Sequence, residues 1–164
     1  MNAIKQPLAE LIGTFTLVFL GAGAGAMAAT SGGGIVGVAL AHGLALVVIA
    51  YAWGPISGAH VNPAVTFGLA LTGKVDWATA IKYWIAQFAG GALAAYLLAY
   101  LLGADSRLGE TVGTLTSTDA AKAIILDAVL TFFLMTAVFG SAVAGRNGNA
   151  FGLAIGVVLT ADII

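Results

Sequence analysis

The chain has 164 residues, 60% of them apolar and only 8% charged, with a formal net charge of −1 at pH 7; ordinary soluble domains carry about 25% charged residues. A small water-soluble fold keeps much of its chain at the surface and could not hide so much apolar side chain, and a charge near zero gives no basic field for nucleic acid. The absence of cysteine excludes disulfides, thiolate metal sites and thiol nucleophiles, which leaves an integral, multi-pass membrane protein that needs no metal or cofactor.

The first apolar stretch runs from Leu8 to Ala29, broken only by Glu10, and a transmembrane helix needs about 20 residues. It is too long, and wrongly flanked, for a cleaved signal peptide. Within it, Gly21-Ala22-Gly23-Ala24-Gly25 lacks the preceding strand of a nucleotide loop. Small residues that let two helices approach closely explain it better. The second stretch, Ile35 to Ala52, carries His42. A lone histidine in a membrane helix reads first as a packing or helix-bridging group.

Between Trp53 and Thr79 lies Gly54-Pro55-Ile56-Ser57-Gly58-Ala59-His60-Val61-Asn62-Pro63-Ala64, followed by an apolar, helix-periodic run to Leu71. The start is too polar for a span, and the run from Ala64 to Leu71 is too short to cross a bilayer, so the segment is expected to dip in and return. Asn62-Pro63 suits a helix start, with asparagine at the N-cap and proline at the first helical position. The residues before it are expected to be extended, with carbonyls at membrane depth, which survives only beside a wet cavity or buried in protein. The carbonyls of Gly58, Ala59, His60 and Val61 would then form a ladder of acceptors. Asn62 would spend its side-chain oxygen on the helix N–H groups and keep its NH₂ as a donor into the pore. The half-helix N-terminus adds about half a positive charge there, which suits a neutral hydrogen-bonding solute and repels cations.

The third stretch runs from Ala80 to Leu102, and Gly103 to Ala121 is the longest polar interval. The fourth runs from Ile124 to Ala144, and the fifth begins at Phe151 and reaches Ile164 after fourteen residues, too few for a crossing. A shift of 117 residues aligns Ala9–Leu17 with Leu126–Leu134, pairing Glu10 with Asp127, Thr14 with Thr131 and Phe15 with Phe132. The first and fourth spans run in opposite directions, so this is an inverted repeat, as in many pores and transporters. The first repeat covers about residues 1–103 of a single domain, and the second, about 123–164, is incomplete. Intramembrane acids are costly, and Glu10 and Asp127 could serve as proton relays. Two repeat-related acids are better read as anchors that accept hydrogen bonds from re-entrant loop N–H groups; Asp162 receives no role. Lys5, Lys74, Lys82 and Arg146 fall on one side, and Arg107 and Lys122 on the other with Asp105, Glu110 and Asp119. That bias places the N-terminus in the cytoplasm.

The Ala9–Phe15 start, the Ser57–Ala64 string, Ala86-Gln87 and the Glu10/Asp127 pair resemble the aquaporin family, also called major intrinsic proteins, along essentially the whole chain. The resemblance implies an all-α, six-helix, hourglass-shaped inverted repeat in which two half-helices meet at mid-membrane, usually as a homotetramer with one pore per protomer. Asn62, Pro63 and Ala64 match the family's Asn-Pro-Ala motif. A second Asn-Pro-Ala, its following arginine and a sixth span do not occur within these residues, so a partial chain is expected. The resemblance assigns His42 and Ile163 to the selectivity filter, a pair similar to that of the vacuolar (tonoplast) subgroup. It also makes Gln87 a fastener of the re-entrant loop, while His60 lends its carbonyl to the channel wall and its ring to bracing.

The function implied is a passive channel for water, with ammonia and small neutral solutes such as glycerol or urea as further candidates, in the plasma membrane. The alternative is a proton- or ion-coupled secondary transporter, which needs carboxylates beside its substrate. An intramembrane protease fits poorly, because Ser57 lacks the Gly-x-Ser-Gly setting and His42 and His60 are the only histidines.

Overall fold

The computed structural model describes residues 2–103, 118–146 and 148–164. Asp105, Arg107 and Glu110, assigned above to the external loop, lie outside the described residues. Among the described residues six α-helices follow in chain order: α1 Asn2–Ser31, α2 Gly34–Ser57, α3 Pro63–Leu71, α4 Trp77–Leu102, α5 Ala120–Ala137 and α6 Phe151–Ile163. A π-helical turn, Val138–Val143, continues α5.

Four segments among the described residues are long and apolar enough to span a bilayer: Ile4–Ala28, Gly34–Ser57, Trp77–Leu102 and Ala120–Val143. α3 has nine residues and α6 thirteen. The burial pattern inverts that of a soluble protein. Large apolar side chains such as Val48, Ile85, Phe88 and Tyr100 lie outside, while Glu10, Thr66 and Gln87 are buried. Lipid rewards the first arrangement, and protein partners permit the second.

Glycines set the helix crossings. A β-carbon on Gly90 of α4 would strike the Leu11 carbonyl of α1, and one on Gly91 would touch Thr14. Together with the Glu10–Gln87 hydrogen bond, this order of contacts makes α1 and α4 parallel. Gly13 faces Ile49 while Gly21 faces His42, so α1 and α2 are antiparallel. α2 meets α6 antiparallel as well: Gly43 lies against Gly156 and Thr160, and Gly152 against Ala50 and Tyr51. Small residues at such crossings let backbones approach where apolar side chains gain nothing by leaving lipid.

The second span departs from its expected end at Ala52. The helix continues through Gly54 and Pro55 to Ser57, although proline removes a backbone donor and usually breaks a helix. Membrane helices tolerate proline more readily than soluble ones. Here Gly58 closes the end, donating its N–H to Gly54 O at 2.9 Å, and Tyr83 OH donates to Ser57 O at 2.7 Å. The extended backbone expected before Asn62 is not what forms: Gly58, Ala59 and Val61 take positive φ, and Asn62 itself is extended. α1 likewise starts at Asn2, ahead of the expected Leu8, and includes Pro7.

Candidate functional site: a re-entrant loop and half-helix

α3 begins as its sequence dictates. Asn62 is extended (φ −149°, ψ 125°) and its side chain accepts from Ala64 N at 2.8 Å and Val65 N at 3.4 Å, with Pro63 in the first turn. These bonds use the amide oxygen. Among the described residues no protein group accepts from the Asn62 NH₂, and Asn62 lines a cavity.

The loop before it is conformationally expensive. Gly58 has φ 89°, which glycine tolerates, but Ala59 and Val61 also adopt positive φ, 49° and 41°. A β-branched residue there is an outlier, and each such residue costs on the order of 1–3 kcal/mol unless its surroundings enforce it. Glu10 supplies that enforcement. Its Oε1 accepts from Ser57 Oγ at 2.6 Å and His60 N at 3.0 Å; its Oε2 accepts from Val61 N at 2.6 Å and Gln87 Nε2 at 2.8 Å. Four donors from three segments converge on one fully buried carboxylate, each bond to a charged group contributing about 1.5–3 kcal/mol.

A second layer holds the half-helix. Thr66 Oγ1 donates to Asn62 O at 3.1 Å and accepts from Gln87 Nε2 at 2.9 Å, and His60 Nδ1 lies 3.2 Å from the same oxygen. The His60 ring meets Tyr83 edge-on with centroids 5.0 Å apart. Trp84 Nε1 donates to Pro63 O at 3.0 Å. Sequence reading passed over Thr66, Tyr83 and Trp84. The available signals were Thr66 four residues after Asn62, and the Tyr83–Gln87 spacing that puts both on one face of α4.

A cavity of about 70 Å³ is lined by Gly58, Ala59, His60, Val61 and Asn62 on one wall. Apolar side chains of α1, α2, α3, α5, the π-helical turn and α6, among them Leu17, Leu46, Val65, Leu134, Val138 and Ile155, form the rest. That is room for a few waters, each needing roughly 10–15 Å³ of such space. None of the lining residues is acidic.

The remaining sequence-selected residues lie apart from this cluster. His42 Nδ1 bonds to Val38 O of its own helix at 2.9 Å, and its ring rests against Gly21 of α1. Ile163 is the last residue of α6. Neither lines the cavity, yet both sit at the same end of the α2–α6 crossing, His42 beside Gly43 and Ile163 three residues beyond Thr160. Asp127 is exposed on α5 and has no hydrogen-bond partner among the described residues.

Four apolar helices long enough to span a bilayer, packed with a short capped helix around a small cavity, define an all-α, multi-span membrane protein. A family model for the major intrinsic proteins matches residues 1–164, and the chain belongs to that family. It is 37% identical to aquaporin NIP1-1 of Zea mays, with 98% of this chain aligned to 57% of that protein. It is 40% identical to aquaporin TIP4-4 of Zea mays, covering 99% of this chain and 68% of that one. The fold is similar to the X-ray structure of the aquaglyceroporin from Plasmodium falciparum, with TM-score 0.80 and 26% identity over 96% of this chain and 70% of that one. The chain thus spans about 56–69% of the length of curated relatives it matches.

Proposed function

We propose that this chain builds the wall of a passive channel for water, with Asn62 as its central donor and the Gly58–Val61 carbonyls as acceptors. The carrying observation is the division of labour at Asn62: the side-chain oxygen caps α3 while the NH₂ is left unpaired beside the cavity. The half-helix N-terminus disfavours cations at the same level. Glu10 and Gln87 are anchors in this reading, and Asp127 is the repeat-related counterpart of Glu10. The repeats cover residues 1–103 and 123–164, and His42 with Ile163 forms the filter across the α2–α6 crossing. Ammonia and small neutral solutes such as glycerol or urea are further candidates. We also infer a homotetramer in the plasma membrane with its N-terminus in the cytoplasm.

Ion-coupled transport is disfavoured because the cavity wall carries no carboxylate. A hydrolase is disfavoured because Ser57 Oγ already donates to Glu10 and accepts from Ala59 N at 3.0 Å. The test is osmotic shrinkage of liposomes containing the full-length protein. Faster water efflux than from protein-free liposomes, unaffected by an uncoupler, supports the channel. Efflux equal to the protein-free control overturns it, and solute uptake collapsed by the uncoupler supports the transporter.

A further inference from the structure

A groove of about 450 Å³ runs between the first turns of α1 and α4, far from the cavity. Ile4, Pro7, Leu8 and Leu11 form one side, Ile85 and Ala89 the other, and Lys82 provides its one charge. Because α1 and α4 are parallel, both walls belong to the same membrane leaflet. Trp77, in the first turn of α4, is half exposed, as an aromatic residue at the headgroup level would be. Lys82 lies five residues deeper, and helical side chains lean toward the helix N-terminus. Its stem can therefore cover the groove while the ammonium reaches back to the headgroups.

Charge selects the occupant. Lys5, Lys74 and Lys82 are exposed at this end of the two helices, and none has an ion-pair partner among the described residues. The nearby acid, Asp76, is engaged in capping α4 through Thr79 N at 2.9 Å and Thr79 Oγ1 at 2.7 Å. An apolar furrow of leaflet depth with a cation at its headgroup end is complementary to an anionic lipid, not to a zwitterionic one. We infer that this groove holds one acyl chain of an anionic phospholipid whose phosphate meets the Lys82 ammonium. The proposed orientation puts the groove in the cytoplasmic leaflet, the one rich in anionic headgroups. Channel activity is not a premise.

The test is lipid retention by the detergent-solubilised protein in native mass spectrometry, after incubation with phosphatidylglycerol and phosphatidylcholine of identical acyl chains. A preference of about fivefold for phosphatidylglycerol is expected, the factor one lysine supplies near an anionic surface. Lys82→Gln should bring the ratio near one, and Lys122→Gln should leave it unchanged. Equal retention of the two lipids, or a preference that survives Lys82→Gln, overturns the proposal. The absence of native cysteine permits a second reading from a fluorophore on Ile85→Cys. Stronger quenching by brominated phosphatidylglycerol than by brominated phosphatidylcholine is expected in bilayers. Equal quenching contradicts it.

Discussion

Glu10 and Asp127 align in sequence at a shift of 117 residues, yet their burial and hydrogen bonding differ. Glu10 is buried and takes four hydrogen bonds from α2, the loop and α4. Asp127 is exposed on α5. The same contrast runs along the helices: α4 lies against α1 so closely that Gly90 has no room for a methyl group, whereas a β-carbon on Gly140 at the end of α5 would meet nothing within 4 Å. An acid in a membrane helix becomes an anchor only when a re-entrant segment and a neighbouring helix bring donors to it. Repeat symmetry in sequence specifies the acid; the donors are specified elsewhere in the chain.

The largest expected effect separates the two acids directly. Glu10→Ala strips four donors of their acceptor and leaves Ala59 and Val61 without the groups that enforce their conformation. We expect a loss of about 3–5 kcal/mol, the range for breaking a buried charged network, read as a drop in thermal stability in detergent. Asp127→Asn should not lower stability, because no hydrogen-bond partner among the described residues is lost and an exposed charge in a span is itself costly. Comparable losses from the two would erase the distinction.

Gly90→Ala comes next. Its methyl meets main chain, which cannot rotate away, so overpacking should cost roughly 1–3 kcal/mol. Gly140→Ala should be neutral or slightly stabilising, since glycine in a helix interior is worse than alanine by roughly 0.5–1 kcal/mol. Gly21→Ala should have a smaller effect on stability, because its contact is the movable His42 ring. Its signature should be a change in the ammonia-to-water permeability ratio with little loss of protein.

The smallest effect concerns pH. Thr79, through its hydroxyl and then its N–H, holds the Asp76 carboxyl below the usual carboxylate range. A depressed carboxylate contributes its stability above the ordinary pKa and loses it as pH falls through the lowered one. The first turn of α4 should therefore hold at neutral pH and exchange its amide hydrogens faster only in strong acid. Asp76→Asn should remove that acid dependence.

Much of the first-half site was legible because local rules govern it. Asn62 before Pro63 is a cap wherever it occurs, and a lone buried acid needs donors. Other features depended on distant parts of the chain. The end of α2 at Ser57, beyond Pro55, is held by Gly58 and by Tyr83, which is 26 residues away from the carbonyl it satisfies. Positive φ at Val61 contradicts its intrinsic preference and is stable only under the Glu10 carboxylate. The seat of His42 against Gly21 follows from the α1–α2 crossing, which no spacing in either helix encodes. Sequence pattern registers local preference well, and these three features are tertiary overrides of it.

The central claim, that Asn62 caps α3 with its oxygen and offers its nitrogen to the pore, is open to one direct measurement. Asn62→Asp keeps a side-chain oxygen for the Ala64 and Val65 N–H groups and removes only the NH₂ donor, while adding negative charge. Water permeability of this variant in proteoliposomes, at equal protein content and with helicity unchanged by circular dichroism, should fall sharply, and cation exclusion should weaken. Permeability equal to that of the unmodified protein would show that the Asn62 nitrogen is not part of the water path.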